Sequence, residues 1–223
     1  ITDTFLAIVR RSVAHLIKEG QPGSMALGAG PAAALVEDLI LFLEQKDTYT
    51  GLNHSKGVAN VSMRLGEALL ASGEAVEHGP IEPEKGWGNF VNRDMLRLAG
   101  MLHDVGKLRI PWSLLNKPAR LTPAERIVLQ SHSPEGEQIL LRLGLGDVGR
   151  LVVEHHETPT GSGYPWGVKD SSLMGACIAV ADVFEAATTI KRAWRQPKKK
   201  EEIVREVADL AGVQFDARVA RAL

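Results

Sequence analysis

Seven potential metal ligands within helix-forming segments constrain this sequence more than any other feature. Five of the seven histidines in the chain belong to this set. Burying an imidazole or a carboxylate is costly unless the group gains a partner. A fold that brings all seven side chains to one shared metal centre would satisfy them together. The set comprises His54, His103, Asp104, His132, His155, His156 and Asp182.

Adjacent pairs and a lone carboxylate strengthen this interpretation. His103 and Asp104 end an apolar helical run, and neighbouring helical residues point about 100° apart, so the two side chains can approach a metal from different directions. The imidazoles of His155 and His156 cannot share one helix face, but they can serve two neighbouring ions. Asp182 lies in an otherwise uncharged apolar segment, where an unpaired carboxylate would be expensive.

The donor types narrow the choice of metal. Nitrogen and carboxylate ligands without thiolates suit Fe or Mn, with Ni or Zn as alternatives. Five histidines and two aspartates are too many for one ion, so we predict two divalent ions bridged by an aspartate and a water or hydroxide. Two metals roughly 3.5–4 Å apart form a clamp for phosphoester displacement. The set therefore indicates hydrolytic metal chemistry.

Helical spacing of apolar residues runs through nearly the whole chain, and no alternating pattern is long enough to predict a sheet. Thr122 and Glu125 form a capping box with Pro123 at the first helical position. We therefore predict an all-α fold, with loops at 73–92 and 158–170. The predicted helices cover 3–19, 32–46, 53–72, 93–104, two short helices that meet at His132, a helix–turn–helix over 137–157, and helices over 172–190, 199–211 and 214–222.

Composition excludes some classes of protein. The 223 residues carry a net charge of -1, which does not favour binding to duplex nucleic acid. Cys177 is the only cysteine, so no internal disulfide can form, and a reduced cytosolic setting is expected. No apolar run reaches about 18 residues, so no membrane span is expected. Because the first residue is Ile1, we expect a piece of a longer protein that has an upstream sensory domain.

The order of several motifs resembles that of a known family. From about Asp47 to the C-terminus, the sequence is similar to HD-GYP domains, a subgroup of the HD phosphohydrolase superfamily. The matching motifs are His54 within Asp47–Ser55, the run His103–Lys107, Asn116–Pro118, Leu121–Thr122, His132 with Gly136, His155–Glu157, Gly161–Pro165, Ala181–Phe184 and Val213–Asp216.

This resemblance implies a fold, an activity and roles for individual residues. The fold would be a helical HD-domain bundle with a di- or trinuclear metal centre in its core. The activity would be hydrolysis of the bacterial second messenger cyclic di-GMP to linear pGpG or GMP. All seven residues of the set would be ligands, Asp104 would bridge two metals, and Lys107 would contact the scissile phosphate.

The resemblance also implies substrate and partner contacts. The loop of Gly163, Tyr164 and Pro165 would border the substrate and contact GGDEF-domain partners. Members of the family have an arginine-containing loop for guanine or phosphate contacts near residues 191–200. The alignment slips by one residue there, so either Lys191 or Arg192 could take that role. A solvated loop is the alternative interpretation of this basic stretch.

Three positions depart from the pattern of the family. Thr50 stands where members with a third metal have a Glu, so we expect two metals. Thr160 replaces an Asp that orders the loop or supports a ligand indirectly, and losing such support can cost about 10–100-fold in affinity or activity. Glu185 replaces an Asp, which is a mild change. Metal binding is therefore favoured more strongly than catalysis.

We predict a bacterial cytoplasmic phosphodiesterase for cyclic di-GMP, with a metal-bridging hydroxide as the nucleophile. Two alternatives stay open: an HD phosphohydrolase for another nucleotide, such as a different cyclic dinucleotide, and a non-catalytic sensor or docking module for cyclic di-GMP or metal. The predicted catalytic domain covers residues 47–223. Residues 1–46 would be a helical linker, a dimerisation element or the end of an upstream domain, and a homodimer is one option.

Overall fold

The computed structural model describes residues 31–48, 53–77, 88–189 and 196–223. Within these ranges lie ten α-helices and a short 3-10 helix, and the only β pairings are two isolated bridges. The all-α prediction is therefore confirmed. The α-helices are α1 (Pro31–Lys46), α2 (His54–Ala71), α3 (Arg93–Leu102), α4 (Trp112–Leu115), α5 (Pro123–Gln130), α6 (His132–Arg142), α7 (Gly146–Glu154), α8 (Leu173–Thr189), α9 (Lys200–Asp209) and α10 (Ala217–Ala222).

Local capping explains where several helices begin. The Thr122 hydroxyl accepts a hydrogen bond from the Glu125 backbone N–H at 3.3 Å, and the Glu125 carboxylate accepts one from the Thr122 N–H at 2.8 Å. The predicted capping box is therefore confirmed at α5. Helix α10 begins later than predicted because the Asp216 carboxylate accepts hydrogen bonds from the next turn. The predicted helix over 3–19 lies outside the described residues.

The chain after α3 differs from the prediction. The sequence pattern extended this helix to Asp104, but α3 ends at Leu102 and a 3-10 helix follows over Val105–Arg109. Gly106 lies so close to the start of α6 that a Cβ atom would collide with the His132 carbonyl oxygen. The segment after α3 therefore runs in direct contact with α6.

Helices α2 and α6 lie at the centre of the core. Helix α2 lies against α3 and α8, and α6 lies against α7 and the 3-10 helix. Leu69 of α2 and Ile178 of α8 are fully buried, and full burial of such a side chain stabilises the fold by roughly 1.5–3 kcal/mol. Cys177 is also buried and unpaired. The prediction that the helix over 172–190 is largely buried agrees with α8.

The described ranges also bear on membrane association and on the N-terminal segment. None of their helices combines the length and apolar character needed to cross a bilayer. Helix α1 packs against the 3-10 helix of the predicted catalytic domain. The domain boundary after residue 46 stays a prediction. Thr50, Lys191 and Arg192 lie outside the described residues, so their predicted roles stay predictions as well.

Candidate metal centre

The seven predicted ligands converge at the ends of four helices and the middle of a fifth. His54 begins α2, His132 begins α6, and two pairs of ligands directly follow α3 and α7. Asp182 projects from α8. Six donor atoms form two groups, each with its atoms within 4.8 Å of one another. The first triad is His54, His103 and Asp104, and the second triad is His132, His155 and His156.

The Asp104 carboxylate joins the two triads. Its Oδ2 lies 3.2 Å from His103 Nε2, and its Oδ1 lies 3.5 Å from His132 Nε2. Asp182 Oδ1 lies 3.2 Å from His54 Nε2 and 3.6 Å from His103 Nε2. The first triad thus has a fourth donor, and one carboxylate offers a separate oxygen to each triad. This geometry suits a carboxylate that bridges two ions.

Backbone hydrogen bonds orient three of the histidine rings in the same way. In His103, His132 and His155, Nδ1 lies within hydrogen-bond distance of the backbone carbonyl three residues earlier, at 2.8, 2.8 and 2.5 Å. A carbonyl can only accept, so each Nδ1 carries the proton. Nε2 of each ring is therefore left as the lone-pair donor for a metal.

The buried donors fit a pair of divalent ions. Among the described residues, His54 Nδ1 and His103 Nε2 are buried without a hydrogen-bond partner. Leaving such a group unsatisfied costs about 1–3 kcal/mol. An ion at the first triad would satisfy His103 Nε2, and imidazole and carboxylate donors suit Fe, Mn, Ni or Zn.

Burial differs among the ligands. Five of the seven are buried, but His156 and Asp182 are only partly buried. The expectation that all seven would be buried is therefore wrong for these two residues. Both line a cavity instead, so their side chains lie where a substrate would meet the metals.

Charge around Asp104 keeps this carboxyl ionised. Lys107 Nζ lies 2.7 Å from Asp104 Oδ2 and 2.8 Å from Asp47 Oδ2. Although burial opposes ionisation, the Lys107 ammonium group holds the pKa of Asp104 well below its usual range. Burial opposes the charge on Lys107 too, but Asp104 and Asp47 raise the pKa of its ammonium group. Lys107 is therefore a fixed cation beside the Asp104 carboxylate.

In the second triad, burial outweighs the neighbouring charges and keeps the imidazoles neutral. It lowers the pKa of His132 and lowers that of His155 to about 3. Burial also lowers the pKa of His156 well below its usual value. Deprotonated imidazoles are the form that binds metals, so the second triad is ready to accept an ion at neutral pH.

The end of α1 contacts the centre through side chains that had no predicted role. The Glu44 carboxylate accepts hydrogen bonds from the backbone N–H groups of Asn53 and Ser55, at 2.7 and 2.9 Å, where α2 begins. Glu44 therefore fixes the turn that carries His54. Glu44 belongs to the segment predicted as a linker, and no local pattern identifies a carboxylate that caps a different helix.

Lys46 and Asp47 attach the same end of α1 to the 3-10 helix. Lys46 Nζ donates to the backbone carbonyls of Lys107, Leu108 and Ile110 at 3.1, 2.7 and 2.7 Å. Asp47 holds the Lys107 ammonium group, as described above. Asp47 was part of the recognised motif, but only the structure reveals its contact with Lys107.

The Gly163-Tyr164-Pro165 loop packs directly on a metal-centre residue. A Cβ atom at Gly163 would collide with the His156 carbonyl oxygen, which also accepts a hydrogen bond from the Tyr164 N–H at 3.1 Å. The Tyr164 ring stacks on the His156 ring with 4.5 Å between centroids. Tyr164 lines the cavity, whereas Gly163 and Pro165 shape the loop behind it.

Two side chains order this loop from either side. The buried Glu157 carboxylate accepts hydrogen bonds from three successive backbone N–H groups, those of Trp166, Gly167 and Val168, at 2.8–3.2 Å. The Thr160 hydroxyl contacts the Ser162 hydroxyl at 2.9 Å and the Val213 carbonyl at 3.2 Å. Thr160 therefore belongs to the hydrogen bonding of the loop.

A cavity of about 640 Å³ opens onto the two triads, within the usual range of ligand sites. His103 and His155 lie behind its surface, and the other five ligands reach it. Lys107 and Tyr164 contribute to the same surface. Ala186 of α8 adds a small part of the surface. Most of the remaining wall comes from residues 119–130: Ala119, Arg120, Leu121, Arg126, Leu129 and Gln130.

Several known proteins are similar to this chain in sequence or in fold. A stretch of 134 residues is 38% identical to the cyclic di-GMP phosphodiesterase of Thermotoga maritima, covering 57% of this chain and 36% of that protein. The 3'3'-cGAMP-specific phosphodiesterase 2 of Vibrio cholerae is 37% identical over 135 residues, covering 58% and 26% of the two chains. The chain spans about a third of the length of these curated relatives.

A solved structure and a protein-family model also match this chain. Bd1817, an HDG"Y"P protein from Bdellovibrio bacteriovorus, superposes with a TM-score of 0.55 at 16% identity, covering 98% of this chain and 68% of that one. This likeness establishes a shared fold. The HD domain model matches residues 87–219, which is more than half of the sequence, and the chain therefore belongs to the HD domain family.

Proposed function

We propose that this chain is a metal-dependent phosphodiesterase of the HD-GYP subgroup that hydrolyses cyclic di-GMP to linear pGpG, GMP or both. One observation carries the proposal: two ligand triads share the carboxylate of Asp104 and open into a single cavity. The names of the similar curated proteins support a cyclic dinucleotide as the substrate.

The residues divide into two sets of ligands. Two divalent ions bound there would supply Lewis acidity that activates water at neutral pH and neutralises charge on a phosphodiester. Fe or Mn is proposed, with Ni or Zn as alternatives. His54, His103, Asp182 and Asp104 Oδ2 would hold one ion, and His132, His155, His156 and Asp104 Oδ1 would hold the other.

Lys107 and Tyr164 would act on the substrate directly. The Lys107 ammonium group is held at the cavity wall by two carboxylates, so it can stabilise negative charge that develops on the reacting phosphate. The Tyr164 ring, stacked on His156, offers an apolar surface beside the reacting group. Gly163 and Pro165 keep the ring in this position. Lys191 and Arg192 stay predicted contacts for guanine or phosphate.

The loop after Tyr164 is also the surface proposed for GGDEF-domain partners. Trp166 and Val168 leave 54% and 39% of their surface exposed there. Large exposed apolar side chains next to a site are typical of protein interaction surfaces. A GGDEF domain that binds would therefore contact the same loop that Glu157 holds in place.

Metal analysis paired with chromatography of cyclic di-GMP incubations tests the proposed function. Protein reconstituted with Fe or Mn under reducing conditions should hold two ions per chain and release pGpG or GMP. Asp104→Ala should abolish turnover and lower the metal content together, because both triads lose an oxygen donor. Unchanged turnover in this variant would contradict the mechanism.

A second substrate is supported by the relative from Vibrio cholerae that is named as specific for 3'3'-cGAMP. The same chromatography with 3'3'-cGAMP, compared as kcat/KM, separates the two candidates. Tight binding of cyclic di-GMP by the metal-loaded protein without any product would instead favour the non-catalytic sensor.

A further inference from the structure

One wall of the cavity has no role in the chemistry described so far. Residues 119–130 contribute no metal ligand, yet Arg120 and Arg126 of this segment both line the cavity that opens onto the triads. Arg120 lies in the loop before α5, and Arg126 lies within α5. Arg120 and Arg126 therefore line the same cavity as Lys107, from a different part of the chain.

Packing does not explain these arginines. No residue of α5 is buried, and both arginines are exposed. The helix is held instead by its capping box and by Lys117, whose Nζ lies 2.7 Å from the Glu125 carboxylate. Arg120 and Arg126 are therefore available for a role in the cavity.

Charge pairing does not explain them either. Neighbouring cations have partners, since Lys117 pairs with Glu125 and Arg109 pairs with Glu135. Within the part of the chain that the structure describes, no carboxylate lies within 4.0 Å of Arg120 or Arg126. Two guanidinium groups without a carboxylate on one cavity wall attract an anionic ligand, and their planar forks match phosphate oxygens.

We propose that Arg120 and Arg126 form a subsite for the second, non-reacting phosphodiester of a cyclic dinucleotide. This proposal rests on the proposed function. A cyclic dinucleotide has two phosphodiester groups on opposite sides of its ring. When one group lies at Lys107 and the triads, the other is carried across the cavity and needs a cation of its own. The subsite would therefore favour cyclic dinucleotides over diesters that have one phosphate.

Kinetics of a double variant test the subsite. In the metal-loaded protein, Arg120→Gln with Arg126→Gln should raise the KM for cyclic di-GMP by about ten-fold or more, because charge-assisted hydrogen bonds to phosphate are lost. The kcat and the metal content should change much less. The KM for bis(4-nitrophenyl) phosphate, which has one phosphate, should shift far less than the KM for cyclic di-GMP.

Two further variants make the test specific. Arg205→Gln removes the same charge from an exposed position on α9, away from the cavity, and should leave the KM for cyclic di-GMP unchanged. Arg120→Lys with Arg126→Lys keeps both positive charges but removes the planar guanidinium groups. This variant should give an intermediate KM. The KM of the original protein should also rise more steeply with salt than that of the double Gln variant.

The outcomes separate the subsite from the proposed function. Normal turnover of cyclic di-GMP with the same KM in the double Gln variant would overturn the subsite and leave the function intact. Equal KM shifts for both substrates would also overturn it. If the original protein does not hydrolyse cyclic di-GMP, the proposed function fails. Equilibrium binding of cyclic di-GMP then decides, and equal affinity of the original protein and the double Gln variant overturns the subsite.

Discussion

At the scale of single residues, Asp104 and Gly163 have the least freedom to change. Asp104 has one oxygen towards each triad, so a shorter or longer side chain cannot reach both. Gly163 has no side chain because the loop passes directly over the His156 backbone. Asp104 is constrained by the contacts of its carboxylate, whereas Gly163 is constrained because there is no room for a side chain.

Gly163→Ala should therefore impair the site, although it adds only one methyl group. The added methyl group must push the loop away from His156, and overpacking of this kind costs about 1–3 kcal/mol. We expect a lower kcat/KM for cyclic di-GMP and weaker metal retention, measured by kinetics and metal analysis. Gly146→Ala, where the nearest atom is the tip of the Leu141 side chain, serves as the control. Full activity of Gly163→Ala would show that the loop tolerates displacement.

The candidate ligands could be predicted from the sequence because their types and positions are unusual, and the structure brings them together. Adjacent pairs at the ends of apolar helices and a lone carboxylate in α8 are local signals. Glu44, Lys46 and Arg126 have no such signal, since their roles depend on backbone and cavity surfaces distant in sequence. The bridging role predicted for Asp104 came from the resemblance, and the distances of its two oxygens from the triads required the structure.

At the scale of elements, Glu157 connects the segment after α7 to the loop. Its carboxylate accepts three backbone hydrogen bonds, so it acts like the cap of a helix for the turn at 166–168. This turn follows Tyr164 directly. The position of the tyrosine ring over His156 therefore depends on an acidic side chain that does not line the cavity.

Glu157→Gln should loosen this turn. An amide has one oxygen acceptor where the carboxylate has two, so at least one backbone N–H loses its partner, at a cost of about 1–3 kcal/mol. We expect a lower melting temperature and a higher KM for cyclic di-GMP. Thermal denaturation and kinetics measure both, with the exposed Glu201→Gln as the control. A raised KM without any loss of stability would contradict the capping role.

The end of α1 affects catalysis through Lys107. Asp47→Asn should leave the lysine ammonium group with one carboxylate partner instead of two, so that its position becomes less fixed. We expect kcat to fall by roughly ten-fold, on the scale of one charge-assisted hydrogen bond, while both metals are retained. Metal analysis beside kinetics distinguishes this result from that of Asp104→Ala. Asp38→Asn, at an exposed position within α1, should have no effect.

At the scale of the whole molecule, the centre assembles from residues as far apart in sequence as His54 and Asp182. The helices that carry them also bury the core, with Leu69 and Ile178 fully buried. We therefore expect the core to form without an ion, whereas the triads come together only in the folded chain. If the core forms before the metal binds, metal binding adds stability to the fold but is not needed for the helices to form.

Removal of metal should accordingly lower the melting temperature and preserve helicity. A ligand that binds only the folded state at 100 times its Kd adds about 2.7 kcal/mol. For a chain of this length, such a loss lowers the melting temperature by several degrees. Circular dichroism before and after chelation measures both quantities. The Asp104→Ala variant should show no such shift, and a chelated protein that loses its helices would contradict this order of assembly.

Helical periodicity predicted most of the architecture because each amphipathic segment keeps its pattern within one element. It failed after α3, where the close approach of Gly106 to α6 replaces an α-helical turn with a 3-10 turn. It also failed at the start of α10, where the Asp216 side chain sets the first turn. Both differences arise from contacts that periodicity does not encode.

The attachment of Glu44, Lys46 and Asp47 gives α1 a mechanical property. Glu44 and Lys46 lie in the last turn of α1, and Asp47 directly follows it. Glu44 contacts the start of α2, whereas Lys46 and Asp47 contact the 3-10 helix. Successive helical residues differ by about 100° in direction, so a small rotation of α1 about its axis would displace all three contacts together. The arrangement of the metal centre therefore depends on how α1 is rotated about its own axis.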